Sequence, residues 1–358
     1  MRRGLAIAAG AGLALLGAAS LLPLLETDAW WVRYLDFPRM QFAGLIVLFW
    51  IAMVALGGIG HGAARWLTVL AIAALSYHGW RLWPYQPLAQ VAAPMTESCA
   101  PGDRISVLVA NLRRDNRDAE AVLALLRDAE PDLFLAMETG PWWDEALAPL
   151  GETYPEIVQH VPKDATHYGM HLYSKLPLER VEFRFPFASD TPMLFADVLH
   201  PAARLRFIGL HPRPPLAPDQ PTTLRDATLL LAGREAWATP LPAIVAGDLN
   251  AAPWERTARR MLRLGGLVDP RAGRGPMPSF DAQSAWMKWP LDTVLWRPGP
   301  GLMAFEILPE VGSDHLPVRA ELCLTGGATQ HPPAPYPGDA EEAEATFAAA
   351  RRLGGSDG

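Results

Sequence analysis

Cysteine is scarce in this chain of 358 residues, which contains only Cys99 and Cys323. Two cysteines cannot supply the Cys-rich spacing of a structural zinc site. They flank the soluble part of the sequence, so they either form one disulfide in an oxidising compartment or remain two unrelated buried thiols. No internal repeat is present.

Charge is absent from three stretches near the N-terminus, residues 4–25, 41–60 and 66–80. The first has roughly the length that a helix needs to cross a bilayer. Aromatic residues cluster at the ends of the stretches, as they do at the headgroup level of a membrane: Trp30, Trp31, Tyr34, Trp66, Trp80, Trp83 and Tyr85. Buried helices of a soluble protein fit this pattern less well. We therefore predict a membrane anchor over residues 1–83, with transmembrane helices at about 4–25, 41–60 and 64–83.

The first stretch can also be interpreted as a signal peptide, because Gly-Ala-Ala-Ser at 17–20 resembles a small-residue cleavage site. Its apolar part is long for a signal peptide, which favours an uncleaved anchor. Both interpretations put the chain after the anchor outside the cytoplasm if Arg2 and Arg3 stay inside. No lysine or arginine lies between Arg81 and Arg104, which supports an extracytoplasmic domain.

Negative charge predominates after the anchor. The whole chain has a net charge of −7, and residues 1–100 hold six arginines against four acidic residues, so the remainder carries −9. A soluble part this acidic has no general electrostatic attraction for a polyanion. This weakens the case for a nuclease with a broad basic face but leaves a local basic groove open.

The character of the sequence changes twice after the anchor. Residues 84–103 are Pro-rich and aperiodic, which is typical of a linker. From Arg104 onward, apolar runs of strand length are separated by a few amphipathic helices, the first over 118–128. After Leu324, a Pro/Gly-rich start and many small residues predict a disordered tail over 325–358, in which a short helix remains an alternative.

Strands outnumber helices in residues 104–324. Further helices are predicted over 222–237 and 254–263. The predicted strands cover residues 105–110, 132–137, 169–174, 181–185, 194–199, 205–210, 243–246, 291–295 and 316–324. Many strands with few intervening helices indicate mixed sheets stacked face to face. The predicted fold class is α/β: a four-layer α/β sandwich, in which helices flank two stacked mixed sheets, with N-terminal transmembrane helices.

Polar side chains follow or interrupt the apolar runs at the ends of several predicted strands. They are Asn111, Glu138, His211, Asp248 with Asn250, Asp292, and Asp314 with His315. One such residue is usually a turn residue that bonds its own backbone. A sheet sandwich, however, gathers strand ends on one rim, and these oxygen ligands suit Mg²⁺ or Mn²⁺ rather than zinc. The imidazoles add a base, or a donor to developing negative charge.

These segments resemble the endonuclease/exonuclease/phosphatase superfamily, which includes DNase I-type nucleases, abasic-site endonucleases, sphingomyelinases and inositol polyphosphate phosphatases. The matching segments are VLVANLRRDN, LFLAMETG, GMHLYSKLPL, FIGLHPRP, AIVAGDLNAAPW, PLDTVLW and GSDHLPV. They run in order from about Arg104 to Leu324. The N-terminal spans are similar to those of a bacterial membrane-anchored branch, which implies a multi-pass protein of the inner membrane.

The resemblance implies a role for each matching residue. Glu138 would be the principal Mg²⁺ ligand, with Asn111 nearby and Asp314 completing the site. Asp248 and Asn250 would hold the scissile phosphate and the attacking water. The remaining roles concern imidazoles: His315, oriented by Asp292, would be a general base or a donor to phosphoryl oxygens, and His211 would stabilise charge or assist the leaving group.

The chain also departs from the family pattern. Thr293 follows Asp292 where many relatives carry His or Tyr, and Ser279-Phe280 stands where a Thr-Trp pair is common. The second departure predicts a differently shaped pocket. Other polar residues are predicted to be structural or solvated: His160, His167, His171, Lys175 and Arg213.

The function predicted from the sequence is a membrane-anchored, Mg²⁺-dependent phosphoesterase that cleaves a phosphodiester or a phosphomonoester by in-line attack of water. Its partners would be the lipid bilayer and the substrate, either nucleic acid or a lipid or small phosphate ester. The alternative is a catalytically silent, membrane-bound interaction module, which would be expected to have lost at least one of the polar residues. A transporter subunit has little support, because the spans contain no buried charge pair.

Overall fold

The computed structural model describes residues 1–57, 59–162, 167–214, 221–327 and 329–354. Residue 58 of the second predicted span and residues 328 and 355–358 of the predicted tail lie outside this set. The chain divides into two compact units. The first contains residues 1–84 and the described part of 215–222, and the second contains the remaining residues.

The first unit is helical. Its helices are α1 (Arg2–Leu21), α2 (Trp30–Tyr34), α3 (Arg39–Leu56) and α4 (His61–Leu82). Small and branched apolar side chains of α1, α3 and α4 pack together in its interior. Two segments, Arg2–Leu24 and Arg39–Leu56, are long and apolar enough to cross a membrane. The third predicted span is helical as α4, but it is not among these two segments.

Polar residues lie inside the first unit, and large apolar residues lie on its surface. Arg39 is fully buried, and its Nε donates to Asp36 Oδ1 at 2.9 Å. The ring of His78 lies 3.4 Å from Arg39 and 2.8 Å from the hydroxyl of Ser20. The surface, by contrast, exposes leucine, isoleucine and tryptophan side chains of all three long helices. A buried charge pair, Asp36 with Arg39, is therefore present in this unit, just before the second predicted span.

The second unit contains two mixed sheets. The strands are β1 (Arg104–Asn111), β2 (Leu133–Met137), β3 (Glu156–His160), β4 (Met170–Ser174), β5 (Leu178–Arg184), β6 (Met193–His200), β7 (Ala203–Leu210), β8 (Ala243–Asp248), β9 (Asp292–Trp296), β10 (Gly301–Ile307) and β11 (Val318–Cys323). The helices are α5 (Ala119–Ala129), α6 (Pro141–Ala146), α7 (Thr223–Ala238), α8 (Arg256–Gly265) and α9 (Asp339–Gly354). The first sheet has the order β10-β11-β1-β2-β4-β3, and the second β5-β6-β7-β8-β9.

The sheets stack on a shared apolar core. Val107 and Leu135 of the first sheet lie in the same buried cluster as Phe207 and Ile244 of the second. On the outer faces, α5 and α6 cover the first sheet, whereas α7, α8 and α9 cover the second. The predicted α/β sandwich of two mixed sheets flanked by helices is confirmed.

Strand direction brings the polar strand ends to one rim of the sandwich. β1 and β2 run parallel, so Asn111 and Met137 are paired at the ends of their strands. β7 and β8 also run parallel, and β9 runs against β8, so Asp292 begins its strand opposite Asp248. β11 runs against β1 and begins opposite Val109, so the segment just before β11 lies at this rim too.

The predicted linker over residues 84–103 is a packed part of the second unit from Tyr85 onward. Tyr85 is buried, and its hydroxyl donates to the carbonyl of Pro253 at 2.8 Å. Ala93 is also fully buried, and Thr96 N donates to Leu302 O at 2.7 Å. Cys99 is bonded to Cys323 of β11, so the two cysteines form a disulfide across 224 residues of sequence. The prolines prevent regular structure in this segment without preventing burial.

The last part of the predicted tail forms α9, the short helix that the sequence left open as an alternative, and α9 packs on the helices of the second sheet. Phe347 is fully buried and stacks on Phe187 at 5.8 Å between ring centroids. Burial alone would raise the pKa of Asp339, but hydrogen bonds from Arg263 and Arg260 lower it to about 2. Helix α9 is therefore held by ion pairs at its first residue and by an aromatic contact further along.

Replacing Phe347 with alanine is expected to destabilise the second unit by about 3–5 kcal/mol, because the ring is buried and would leave a cavity. Thermal unfolding followed by near-UV circular dichroism measures this loss. The matched control is Glu344→Ala on the same helix, where the carboxylate is exposed and pairs with Arg234. Exposed ion pairs are worth about 0–1 kcal/mol, so equal losses in the two variants would contradict the packed position of α9.

Candidate active site

Asn111 and Glu138 stand side by side because they follow neighbouring parallel strands. Asn111 ends β1 and is 1% exposed, and Glu138 follows β2. Asn111 Nδ2 donates to Glu138 Oε1 at 2.9 Å and lies 3.2 Å from Asp248 Oδ2. The backbone of Glu138 has a φ of 56°, a left-handed conformation that is uncommon for a residue with a Cβ. One amide group therefore bridges carboxylates that come from both sheets.

Asp248 enters the site at the end of β8, directly after a strand position that needs glycine. Gly247 has a φ of 143°, and a Cβ there would lie 2.0 Å from the carbonyl oxygen of Leu210. No other residue fits this close approach between β7 and β8. The Asp248 carboxylate accepts from the backbone N–H of Asn250 at 2.8 Å through Oδ1, which leaves Oδ2 facing the rim.

Two imidazoles face Asp248 Oδ2. His211 Nε2 lies 3.5 Å from this oxygen and 3.8 Å from Glu138 Oε1. His315 Nε2 lies 3.7 Å from the same Asp248 oxygen. Both rings are buried, with His211 3% and His315 6% exposed. The carboxylate of Asp248 is thus the centre on which the polar side chains of the rim converge.

His315 is held by a buried carboxylate on its far side. Its Nδ1 lies 2.7 Å from Asp292 Oδ2, and because a carboxylate can only accept, Nδ1–H is the donor. Burial by itself would lower the pKa of His315, but the carboxylates of Asp292 and Asp248 raise it to about 10. The ring therefore carries a proton on Nε2, directed towards Asp248.

The site suits a divalent cation. Asp248, Asp292 and His315 offer ligand atoms within 4.8 Å of one another. Contacts of 2.9, 3.2 and 3.7 Å connect Glu138 through Asn111 and Asp248 to His315. Asp292 Oδ1 and His211 Nδ1 are buried and have no hydrogen-bond partner among the described residues. The carboxylates of Asp248 and Asp292 belong to this 4.8 Å group, and carboxylates this close repel one another unless a cation or proton lies among them.

Two residues of the predicted set have side chains that contact other groups. The Asn250 side chain donates from Nδ2 to the carbonyl of Pro212 at 2.9 Å, and its backbone has a φ of 47°. Asp314 is half-buried, and its carboxylate lies 3.5 Å from Ser313 Oγ. Within the described parts of the chain, Asp314 makes no hydrogen bond or ion pair with Glu138 or Asn111.

Three residues at the site were not assigned to the catalytic set from the sequence. His167, interpreted as structural, is exposed and places Nδ1 3.3 Å from Glu138 Oε2. The ring of Tyr168 lies 5.8 Å from that of His211, and burial raises its pKa to about 12. The ring of Phe280, which stands where the family pattern differs, lies 4.7 Å from the ring of His315. Each contact depends on the path of a loop, for which the sequence contains no periodic signal.

The remaining polar residues that were predicted to be structural or solvated lie in separate parts of the second unit. Arg213 is near the site: it pairs with Asp190 at 2.7 Å and lies over the ring of Tyr168 at 5.8 Å. Lys175 follows β4 at the opposite end of the sandwich and donates to the carbonyl of Glu130 at 2.8 Å. His160 packs against the ring of Phe185.

Solved structures share this fold. TDP2 of D. rerio, humanized by 14 mutations, has 17% identity and a TM-score of 0.51 over 62% of this chain and 99% of that chain. D. rerio TDP2 complexed with single-strand DNA product has 15% identity and a TM-score of 0.53 over 61% and 98%. A functionally unknown conserved protein of Enterococcus faecalis has 17% identity and a TM-score of 0.50 over 63% and 100%. These identities show a common fold only.

Sequence comparison gives the family. No curated protein matched the chain. The profile of the Endonuclease/Exonuclease/phosphatase family, however, matches residues 108–315, which is more than half of the sequence. This range includes every polar strand-end residue from Asn111 to His315. The chain therefore belongs to the endonuclease/exonuclease/phosphatase family and is a metal-dependent hydrolase of phosphate esters.

Proposed function

We propose that this protein is a membrane-anchored phosphoesterase that requires Mg²⁺ and cleaves its substrate, a phosphodiester or a phosphomonoester, by in-line attack of water. The observation that carries the proposal is the contact of Asn111, His211 and His315 with a single oxygen of Asp248. Glu138 completes the cluster at 2.9 Å from Asn111. Such a rim combines anionic ligands for a cation with donors for a phosphate oxygen.

Glu138 and Asp248 would hold the cation, with Asn111 fixing the distance between their carboxylates. Bound Mg²⁺ supplies positive charge that offsets the negative charge on the phosphate oxygens during displacement. Since His315 keeps its proton, its Nε2–H is equipped to donate to a phosphoryl oxygen. Asp248 Oδ2 can accept a hydrogen bond from the attacking water and so align it with phosphorus. His211 faces the same oxygen and can stabilise the departing oxygen.

Two observations bear on the substrate class, and they point in different directions. The D. rerio TDP2 structure contains a single-strand DNA product, which favours a nucleic acid. The net charge of −9 after residue 100 and the apolar N-terminal helices favour a lipid or small phosphate ester instead. Both are phosphate esters that can reach the same cation, so the reaction proposed above does not depend on the choice.

Membrane anchoring is supported by the distribution of apolar and charged residues in the first unit, which is the reverse of that in a soluble protein. Soluble proteins bury large apolar residues, whereas this unit exposes Leu15, Leu48, Ile72 and Trp66 and buries Arg39. That distribution suits three helices, including α4, surrounded by lipid. The disulfide between Cys99 and Cys323 belongs to an oxidising compartment, which supports a catalytic unit outside the cytoplasm of a bacterial inner-membrane protein.

The hydrolase activity is tested with the full-length protein in detergent micelles. Single-stranded and duplex DNA, RNA, phospholipids and small phosphate esters are each incubated with Mg²⁺, with Mn²⁺ and with a chelator. We expect at least one substrate to be cleaved, only when a divalent cation is present. Cleavage that persists at full rate in the chelator, or no cleavage of any substrate, would refute the proposal.

Sidedness is tested separately with reporter fusions after Gly60 and after Trp83. We expect the Trp83 fusion to report from the extracytoplasmic side and the Gly60 fusion from the cytoplasm, since α4 crosses the membrane between them. A cytoplasmic signal from the Trp83 fusion would place the catalytic unit inside the cell, in conflict with the disulfide.

A further inference from the structure

A buried histidine behind Glu138 takes no part in the roles described above. His171 lies on β4 and is fully buried. Its Nδ1 lies 2.8 Å from Thr139 Oγ1, and its Nε2 lies 3.1 Å from Asp144 Oδ1 on α6. Thr139 is itself 1% exposed and directly follows Glu138 in the chain. One imidazole therefore joins the first sheet, its outer helix and the residue next to a metal-binding carboxylate.

The partners of His171 fix the direction of both hydrogen bonds. The carboxylate of Asp144 can only accept, so His171 Nε2–H is the donor. Burial lowers the pKa of His171 despite the opposing effect of Asp144, so the ring is neutral and Nδ1 is an acceptor. Thr139 Oγ1–H therefore donates to Nδ1. The hydroxyl of Thr139 has a fixed orientation because its acceptor sits in the core.

The main chain of Thr139 is held by the same strand. Thr139 N donates to the carbonyl of Gly169, one residue before β4, at 3.3 Å. A Cβ on Gly169 would lie 1.5 Å from Thr139 O, so the two chains approach as closely as glycine allows. Thr139 is thus fixed through its backbone at Gly169 and through its side chain at His171.

This attachment matters because Glu138 is in an unfavourable backbone conformation. Its φ of 56° has to be maintained by the surrounding structure, since nothing in a glutamate favours it. Met137 on one side is fixed in β2, where it pairs with Met170 of β4. Thr139 on the other side is fixed by Gly169 and His171. Loosening Thr139 would allow Glu138 to relax and turn its carboxylate away from Asn111.

We propose that His171 is a positioning residue for Glu138, acting through the hydroxyl of Thr139 to aim the glutamate carboxylate at the metal site. This rests on the proposed function, in which Glu138 holds Mg²⁺. It differs from a purely structural role, in which His171 only fills the space between β4 and α6. A structural role predicts lost stability without a change in metal affinity.

The test measures Mg²⁺ binding to the full-length protein in detergent by isothermal titration calorimetry, without substrate. Thr139→Val removes the hydroxyl and keeps the shape of the side chain. We expect it to weaken Mg²⁺ binding about tenfold, the lower end of what loss of an outer partner of a metal ligand costs. Thr139→Ser keeps the hydroxyl and should bind nearly as wild type does. Thr153→Val, at an exposed position, is the matched control.

Variants of His171 test whether its Nδ1 is the acceptor for the hydroxyl of Thr139. His171→Asn offers an amide oxygen near the position of Nδ1 and should retain most of the affinity, whereas His171→Leu offers none and should resemble Thr139→Val. Since both single changes break the same hydrogen bond, the double variant Thr139→Val/His171→Leu should bind no more weakly than either alone. If His171→Leu fails to fold, the comparison of Thr139→Val with Thr139→Ser decides.

The possible outcomes distinguish failure of this inference from failure of the proposed function on which it rests. Absence of Mg²⁺ binding by the wild-type protein would refute the proposed function and the positioning role together. Normal Mg²⁺ binding by wild type and unchanged binding by Thr139→Val would refute the positioning role alone. Weaker binding by Thr139→Val but not by Thr139→Ser, with unchanged melting temperature, would support it.

Discussion

Replacing His315 with glutamine is expected to lower kcat for phosphate ester hydrolysis by about 10²–10⁴-fold, the usual contribution of a positioned proton donor or acceptor. Glutamine can still hydrogen-bond to Asp292 but cannot carry the proton that the Asp292–His315 contact of 2.7 Å maintains. The KM is expected to change little, because the lost interaction is strongest in the transition state. Steady-state kinetics on whichever substrate is cleaved measures both.

The dependence of kcat on pH tests the role of His315 independently. The carboxylates around His315 raise its pKa to about 10, against the effect of burial, so the protonated form predominates at neutral pH and is lost as pH rises through that value. Wild-type kcat should fall on the alkaline side, and His315→Gln should lack that limb. His200→Gln, at the far end of β6, is the matched control. A profile shared by wild type and His315→Gln would contradict the assigned role.

Replacing Glu138 with glutamine is expected to weaken Mg²⁺ binding by at least about 100-fold, beyond the roughly 10–100-fold that outer partners of a ligand contribute. The change removes one negative charge while keeping the size of the side chain and its contact with Asn111. Activity at low Mg²⁺ should be lost and partly return at high Mg²⁺, because the other carboxylates remain.

The matched control for this change is Glu152→Gln, at an exposed position outside the site. It should bind Mg²⁺ and turn over substrate as wild type does. If Glu138→Gln retained wild-type affinity for Mg²⁺, the cation would have to be held without Glu138, for example by the carboxylates of Asp248 and Asp292.

The sequence predicts the fold because its strands depend on local pattern. Buried runs such as residues 243–246 have the length of a strand, and a polar residue that ends such a run lies at a strand end. The convergence of Asn111, Glu138, His211 and Asp248 follows from parallel pairing. The sequence does not state that pairing, and the expected shared rim rested on the way a sheet sandwich gathers its strand ends.

Features that depend on tertiary contacts leave only a weak signal in the sequence. Helix α9 has the small, acidic composition of a disordered segment, and one ring, Phe347, becomes buried only because Phe187 lies opposite. Strand β3 is a short edge strand whose side chains alternate between half-buried and exposed, so its apolar signal is weak. His171 looked structural because its link to Glu138 passes through a neighbouring strand and a hydroxyl.

The distribution of charge in the helical unit was also beyond sequence reasoning. Asp36 and Arg39 both lie between the first and second predicted spans. In the structure Arg39 begins α3 and is fully buried beside Asp36 and His78. Their pairing depends on how the helices pack against one another. The length of an apolar stretch and the charges at its ends do not specify that packing.

The convergence of the strand-end residues on one divalent cation is tested most directly by anomalous X-ray diffraction from crystals of the full-length protein grown with Mn²⁺. We predict an anomalous peak within coordination distance, about 2–2.5 Å, of the carboxylate oxygens of Glu138 and Asp248. The peak should be absent or weaker in Glu138→Gln. Full occupancy of Mn²⁺ at a position that neither carboxylate touches would contradict the proposed site.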